Sequence, residues 1–172
     1  MDSKNKEPSM REMNSTSRST RRVFLLGMLA LGAASMPALA ATQAIAMRVW
    51  KDPNCGCCKD WIAHMEQSGF SASVADEGNN AARARLGVAQ KFASCHTALV
   101  QGYVIEGHVP VADIQRLLKE KPKALGLAVP GMPIGSPGMD GPAYGGRRDA
   151  YQVLLIQKDG SAQVFTSYAG KA

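Results

Sequence analysis

The sequence has no apolar run long enough to span a bilayer, and it has few aromatic residues. Its longest apolar stretch, residues 23–34, is shorter than the roughly 20 residues that a transmembrane helix needs, and Gly27 and Gly32 interrupt it. We therefore expect no membrane span in the mature protein. Aromatic residues make up 6% of the chain and do not alternate with basic residues, so the sequence gives no indication of nucleic-acid binding.

The first 40 residues (1–40) are typical of an export signal rather than of a folded domain. A polar, basic stretch leads into Arg21 and Arg22, then the short apolar run, and then an A-x-A signal-peptidase site ending at Ala40. Paired arginines before a Gly-containing apolar run indicate a bacterial twin-arginine signal. We predict cleavage after Ala40, which leaves one domain at 41–172 in the periplasm. The signal holds six Lys/Arg against three Asp/Glu, so about half of the formal net charge of +6 leaves with it.

Hydrophobic periodicity in the mature part predicts an α/β domain. The predicted elements are a strand at 47–51, a helix with its apolar face at Cys58, Trp61, Ile62 and Met65, a strand at 70–76, a helix at 79–93, a hairpin at 97–109 and a helix with its apolar face at Val111, Ile114, Leu117 and Leu118. This order, β-α-β-α-β-β-α, is the thioredoxin-like arrangement. It places a cysteine motif at the first strand-to-helix junction.

Two features extend this arrangement toward the C-terminus. Residues 126–146 contain seven glycines and four prolines, which predicts a long Gly/Pro/Met loop that cannot bury a core. Residues 151–168 are two alternating runs around Asp159 and Gly160, which predicts an added C-terminal β-hairpin.

All four cysteines lie in the mature part, and three of them are crowded into the segment CGCC, at Cys55, Cys57 and Cys58. Export to an oxidising compartment favours disulfides in general. Adjacent Cys57 and Cys58, however, pair only through a strained ring, and Cys95 alone is remote in sequence. We therefore do not expect a framework of two structural bridges.

The cysteine segment is compatible with two kinds of chemistry. Cys55 and Cys58 have the spacing of a thiol–disulfide oxidoreductase, and the start of a helix favours the thiolate, which both attacks disulfides and binds soft metals. Such an enzyme has no use for Cys57. Three crowded thiolates, with Cys95 as a fourth, suit a soft ion such as Cu(I), with Zn(II) as a competitor. A metal site is the favoured hypothesis, the oxidoreductase is the alternative, and a secreted binding module with one structural bridge comes third.

The three histidines differ as candidate ligands. His108 lies at the end of the predicted hairpin, and its position is equally compatible with a ligand and with a structural residue. His96 follows Cys95 directly, but alternation along a strand predicts that it points to the opposite face. His64 lies two helical turns beyond Cys57 and is the weakest candidate.

Two methionines in the Gly/Pro/Met loop are further candidates. The thioethers of Met132 and Met139 could bind Cu(I), or they could anchor the loop onto an apolar surface. Met65, in contrast, fits the apolar stripe of a helix and is interpreted as packing.

Four segments, in this order, resemble the periplasmic CopG-type copper-resistance proteins, a thioredoxin-like metal-binding family also known as domain of unknown function 411. The segments are CGCC after the first strand, SCHTA, GYVIEGHVP and VPGMPIGSPGM, and the resemblance covers nearly all of residues 47–168.

The resemblance implies a thioredoxin-like domain that binds copper. The implied cluster ligands are Cys55, Cys57, Cys58 and Cys95, while His108, Met132 and Met139 match positions of the family motifs. Association with copper-efflux systems further implies that the protein either changes the oxidation state of copper or passes the ion onward. Whether the protein is an enzyme, and how many copper ions it holds, are left open at this point.

Overall fold

The described part of the protein is built on a seven-stranded mixed β-sheet that carries three α-helices. A computed structural model describes residues 43–171. The predicted twin-arginine signal at 1–40 lies outside these residues. Among the residues described, none of the helices has the length and apolar character needed to cross a membrane.

The elements follow one another in the order that the periodicity predicted, with one strand added. In chain order they are β1 (Ile45–Lys51), α1 (Gly56–Gln67), β2 (Phe70–Ala75), α2 (Asn80–Arg85), β3 (His96–Val100), β4 (Tyr103–Glu106), α3 (Val111–Glu120), β5 (Gly126–Ala128), β6 (Tyr151–Ile156) and β7 (Ala162–Tyr168), with single 3-10 turns at Gln90–Phe92 and Pro142–Tyr144. The α/β class is thus confirmed, and the closer likeness to thioredoxin stays a prediction.

The sheet has the strand order β2-β1-β3-β4-β5-β6-β7. β1 and β2 pair in parallel across α1, and β3 runs antiparallel to β1. β3 and β4 form the predicted hairpin, with Gln101 and Gly102 at positive φ in its two-residue turn. In the β1–β3 register Lys51 lies opposite His96. The cysteine segment that follows β1 therefore meets Cys95, which directly precedes β3.

The core lies between the sheet and the apolar faces of α1 and α3. The buried apolar residues are Cys58, Trp61, Ile62 and Met65 on α1, and Ile114, Leu117 and Leu118 on α3. Full burial of one such large side chain contributes on the order of 1.5–3 kcal/mol. This packing fixes α1 on the sheet and thereby fixes the thiols at its first turn.

The predicted helix at 79–93 is wrong over its second half. α2 ends at Arg85, and Gly87 follows with a φ of +80°. A left-handed glycine just beyond a helix is a common way to end it. The weak amphipathicity of this segment gave too little apolar surface to carry the helix past that glycine.

The prediction that residues 126–146 form a loop without a core is wrong at its first residues. Gly126–Ala128 form β5 beside β4, and Leu127, Ala128 and Val129 are fully buried. A side chain at Gly126 would collide with the backbone of Val104, so glycine here permits the close approach of two strands. The predicted C-terminal hairpin is present as β6 and β7.

Candidate metal centre

The first group of candidate ligands lies at the start of α1. Cys55 is the residue that precedes the helix, and no side chain caps the helix there. Cys55 and Cys58 form a disulfide, and it is the one disulfide within the described residues. Cys57 keeps a free thiol, with its Sγ 3.6 Å from the Cys55 Sγ.

Cys95 joins this group from across the sheet. Its Sγ lies 3.4 Å from the Cys58 Sγ and 4.0 Å from the Cys57 Sγ. All four cysteine sulfurs lie within 4.8 Å of one another. The structure thus brings together the four cysteines that the sequence singled out.

The Cys95 thiol is hard to ionise. Burial, and next the charge of Cys57, raise the pKa of Cys95 to about 12. A thiol with such a pKa carries its proton at neutral pH in the metal-free protein. Metal binding must therefore displace that proton, which makes the affinity for metal dependent on pH.

His108 approaches the same sulfur with a defined ring orientation. Its Nε2 lies 3.0 Å from the Cys95 Sγ, and its Nδ1 lies 2.9 Å from the carbonyl oxygen of Pro137. Because a carbonyl only accepts, Nδ1 carries the hydrogen and Nε2 presents its lone pair to the thiol when the ring is neutral. Burial lowers the pKa of His108, which favours this neutral form. A ring that donates from one nitrogen to a carbonyl is typical of a metal-binding histidine.

The prediction that His96 points away from Cys95 is wrong. Its Nδ1 lies 3.5 Å from the Cys95 Sγ, and Cys95, His96 and His108 form a second group whose ligand atoms lie within 4.8 Å of one another. Alternation holds within a strand, but β3 begins at His96 itself, so Cys95 is outside the alternating part.

The His96 ring is fully buried and incompletely bonded. It packs against Trp61 and His108, with ring centroids 4.3 Å and 5.0 Å away. Its Nε2 has no hydrogen-bond partner among residues 43–171. Burial, and next the neighbouring His108, lower the pKa of His96 well below its usual value. The ring is therefore neutral and has a free nitrogen.

The methionines and His64 lie outside these two groups. Met139 is 9% exposed, and its sulfur accepts a hydrogen bond from the Tyr144 hydroxyl at 3.2 Å. Met132 is 52% exposed and lines an open cavity of about 800 Å³ together with Pro133 and other residues that are not candidate ligands. His64 is half-exposed, with its Nε2 3.5 Å from the Asp140 carboxylate.

The Gly/Pro/Met loop nevertheless touches the centre through its backbone. Gly138 has a φ of +83°, and a side chain there would lie 2.5 Å from the Cys57 carbonyl oxygen and 2.8 Å from the Trp61 amide nitrogen. Together with the hydrogen bond that His108 donates to the Pro137 carbonyl, this close approach sets the loop against the first turn of α1.

A buried polar group behind Cys95 was missed at the sequence level. Glu106 is fully buried, and its carboxylate accepts hydrogen bonds from the Ser94 amide and the Thr97 hydroxyl, with Arg83 beside it. Burial raises the pKa of Glu106, while these hydrogen bonds oppose the rise. The signal in the sequence was a lone acidic residue inside the apolar run YVIEGHV.

Fold and site together define an α/β protein with a candidate metal-binding centre of four cysteines and two histidines. A protein-family profile described as "Protein of unknown function, DUF411" matches residues 92–139. Two solved structures, described as copper resistance protein copG in Form 1 and Form 2, are each 47% identical to this chain with a TM-score of 0.68. The matches cover 74% and 73% of this chain, and 100% and 99% of those chains. No curated protein matches the chain. The chain belongs to the CopG family of copper-resistance proteins.

Proposed function

We propose that this protein is a periplasmic copper-binding protein of copper resistance that holds Cu(I) on cysteine thiolates. The observation that carries the proposal is the approach of four sulfurs to within 4.8 Å of one another. The proposed ligands are Cys55, Cys57, Cys58 and Cys95. The two similar structures described as copper resistance proteins support copper as the ion.

The chemistry of the donors favours a soft ion and permits more than one. Thiolate is the ligand class that selects Cu(I), although Zn(II) also accepts four sulfurs. Four thiolates saturate several copper ions only when they bridge, and sulfurs 3.4–4.0 Å apart are spaced for bridging. The proposal therefore includes a polynuclear site.

The neighbouring imidazoles support a change of oxidation state. His96 and His108 lie beside Cys95 as neutral rings, and imidazole tolerates Cu(II) better than thiolate does. A centre with sulfur at one end and imidazole at the other can hold both oxidation states of copper. We propose that the protein interconverts Cu(I) and Cu(II) before copper passes to efflux components, each ion giving one electron to an external one-electron acceptor on oxidation or taking one from an external donor on reduction.

Copper loading on all four sulfurs requires the Cys55–Cys58 disulfide to be reduced first. Two electrons and two protons from a dithiol convert that disulfide into two thiols, and the dithiol becomes a disulfide. The four thiols then lose protons as they bind the metal.

The decisive test is an anaerobic titration of reduced mature protein, residues 41–172, with Cu(I), followed by elemental analysis of metal per chain. We expect at least one copper per chain, resistant to an equimolar amount of Zn(II). The Cys57→Ser variant should bind less than half as much copper, because Cys57 contacts both Cys55 and Cys95. A ratio near zero for the unaltered protein would overturn the proposal.

A second candidate function is thiol–disulfide exchange, which the Cys55–Cys58 disulfide favours. In this function, a substrate dithiol is oxidised to a disulfide while the Cys55–Cys58 disulfide is reduced to two thiols. Metal-free protein should then turn over a dithiol substrate, with an added oxidant re-forming the Cys55–Cys58 disulfide after each cycle. Cys55→Ser should abolish turnover while Cys57→Ser leaves it unchanged, whereas both variants should lose copper if the first function holds.

A further inference from the structure

Cys95 lies in a turn whose backbone is held on both sides by buried groups. The amide of Ser94 donates to the Glu106 Oε1 at 2.8 Å, and the amide of Gly107 donates to the His96 carbonyl at 2.9 Å. The Ser94 carbonyl accepts from the Asn79 side-chain amide at 3.1 Å. The peptide group before Cys95 is thereby held directly, and the backbone is held again at the His96 carbonyl, one residue beyond Cys95. These bonds restrict the direction of the Cys95 side chain.

The carboxylate of Glu106 is the centre of these contacts. Its Oε2 accepts from the Thr97 hydroxyl at 2.6 Å, and the Thr97 oxygen accepts in turn from Asn79 at 3.2 Å. Every one of these side chains is buried. Buried hydrogen-bond networks of this kind hold one arrangement of the backbone, because a broken bond leaves an unpaired polar group in the interior.

Arg83 supplies the opposite charge. Its guanidinium lies 3.4 Å from the Glu106 Oε1 and 3.4 Å from the Ser94 carbonyl oxygen. The second terminal nitrogen of the guanidinium donates to the side-chain oxygens of Asn80 and Gln90. A buried ion pair of this kind often adds little net stability compared with apolar packing. Its presence directly behind Cys95 therefore points to a role in placing that residue.

We propose that Glu106 is a positioning residue that sets the Cys95 sulfur against the cysteine segment on one side and His108 on the other. Glu106 itself does not touch those sulfurs. It acts through the Ser94 amide, one peptide group away from Cys95. The copper part of this inference rests on the proposed function, whereas the placement of the thiol does not.

Asp113 offers a matched control for a merely structural role. It is also a buried carboxylate, 4% exposed, and it accepts hydrogen bonds from the hydroxyls of Thr166 and Tyr168. It belongs to α3 and contacts β7, away from the cysteines. Its loss should lower stability without moving the Cys95 thiol.

The first experiment measures alkylation of reduced, metal-free protein by iodoacetamide, with thermal unfolding recorded in parallel. Trypsin places Cys95 in the peptide 92–116 and the other three cysteines in the peptide 52–59, so mass spectrometry follows each group separately. We expect Glu106→Ala to accelerate alkylation of Cys95 about tenfold, the size expected for losing the hydrogen bond that the Ser94 amide donates to the carboxylate. The rate for peptide 52–59 should stay within about twofold of that of the unaltered protein.

Two more variants keep the test sharp if Glu106→Ala does not fold. Glu106→Gln keeps an oxygen that accepts from Ser94, so its Cys95 rate should lie between those of the unaltered protein and the alanine variant. Thr97→Val removes the second partner of the carboxylate and should accelerate alkylation of Cys95 about threefold. The inference is overturned if Cys95 is alkylated at the unaltered rate in both Glu106→Gln and Thr97→Val. It is also overturned if these variants react no faster than Asp113→Asn when their melting temperatures are equal to that of Asp113→Asn.

The second experiment loads Cu(I) and follows its transfer to a chelator. Glu106→Ala should release copper about tenfold faster, Glu106→Gln should release it at an intermediate rate, and Asp113→Asn should release it at the unaltered rate. Equal release from Glu106→Gln and the unaltered protein would overturn the copper part of the inference. If the unaltered protein binds no copper, the proposed function fails, and the alkylation rates still decide the role of Glu106.

Discussion

Two segments supply the candidate ligands, and they are held in different ways. The segment Cys55–Cys58 is local: its thiols contact one another at the open end of a helix, without a capping side chain. The segment from Cys95 to His108 is held by contacts at both of its ends: the Glu106 carboxylate accepts from the Ser94 amide next to Cys95, and the Pro137 carbonyl accepts from His108. The first segment can change its bonding by forming or breaking a disulfide, whereas the second has a fixed geometry. A metal that binds between the two segments would take ligands from one segment whose disulfide bonding can change and from another whose geometry is fixed.

The largest effect should come from removing the sulfur that joins the two segments. The Cys95 Sγ lies 3.4 Å from Cys58 and 3.0 Å from the His108 Nε2. We expect Cys95→Ser to lose Cu(I) to a chelator on the order of 100-fold faster, and Cys55→Ser about tenfold faster, since Cys95 contacts both segments whereas Cys55 belongs to the adaptable segment alone. Competition with a Cu(I) chelator measures both rates. Equal rates of Cu(I) loss from Cys95→Ser and Cys55→Ser would show that the two segments do not differ in how they hold copper.

A smaller effect should come from the imidazole side. His108→Ala should leave Cu(I) loading largely intact but slow oxidation of bound copper about tenfold, because the ligand suited to Cu(II) is gone. Stopped-flow oxidation under a fixed oxidant measures the rate, and His64→Ala is the control, since His64 lies on the surface beside Asp140. Unchanged oxidation kinetics in the His108 variant would argue against this role.

The disulfide should change copper capacity by about a factor of two. Oxidised protein keeps two of its four sulfurs in the Cys55–Cys58 bond, so we expect it to hold about half as much Cu(I) as reduced protein. Pretreatment with a dithiol should restore the full amount. Equal loading with and without the dithiol would show that the cysteine segment does not adapt in this way.

A different kind of effect should appear in the stability of the metal-free protein against pH. The pKa of His96 is lower in the folded than in the unfolded chain, so the unfolded chain binds the proton first as pH falls below about 6.5. Stability should then fall with decreasing pH by up to roughly 1.4 kcal/mol per pH unit. His96→Phe should flatten this part of the curve in urea unfolding at pH 5–7. An unchanged slope would place the pH dependence elsewhere in the rigid segment.

The same difference between the segments explains what the sequence could predict. The cysteine segment and the apolar face of α1 follow from local spacing, and the meeting of Cys95 with that segment follows from the order of β1 and β3. The position of His96 depended on where β3 begins, to within one residue. Boundaries of that precision are not fixed by periodicity.

Other features escaped because they depend on contacts remote in sequence. The partners of Glu106 come from α2, β3 and the turn before β3, and nothing in the local pattern joins them. β5 is three residues long and exists because Gly126 lets it approach Val104. This strand was missed at the sequence level because the high Gly and Pro content, averaged over residues 126–146, predicts a loop for the whole segment.

The packing of Trp61 gives the protein a built-in optical reporter. Its indole is fully buried, donates to the Val109 carbonyl at 2.9 Å, and lies 4.3 Å from the His96 ring. A paramagnetic Cu(II) ion beside that imidazole would quench its fluorescence, while diamagnetic Cu(I) on the sulfurs would quench it less. Trp50, which packs near Arg48 and Arg85, supplies the background emission, and Trp61→Phe would remove the signal. The oxidation state of the cargo should thus be visible in unlabelled protein, in real time.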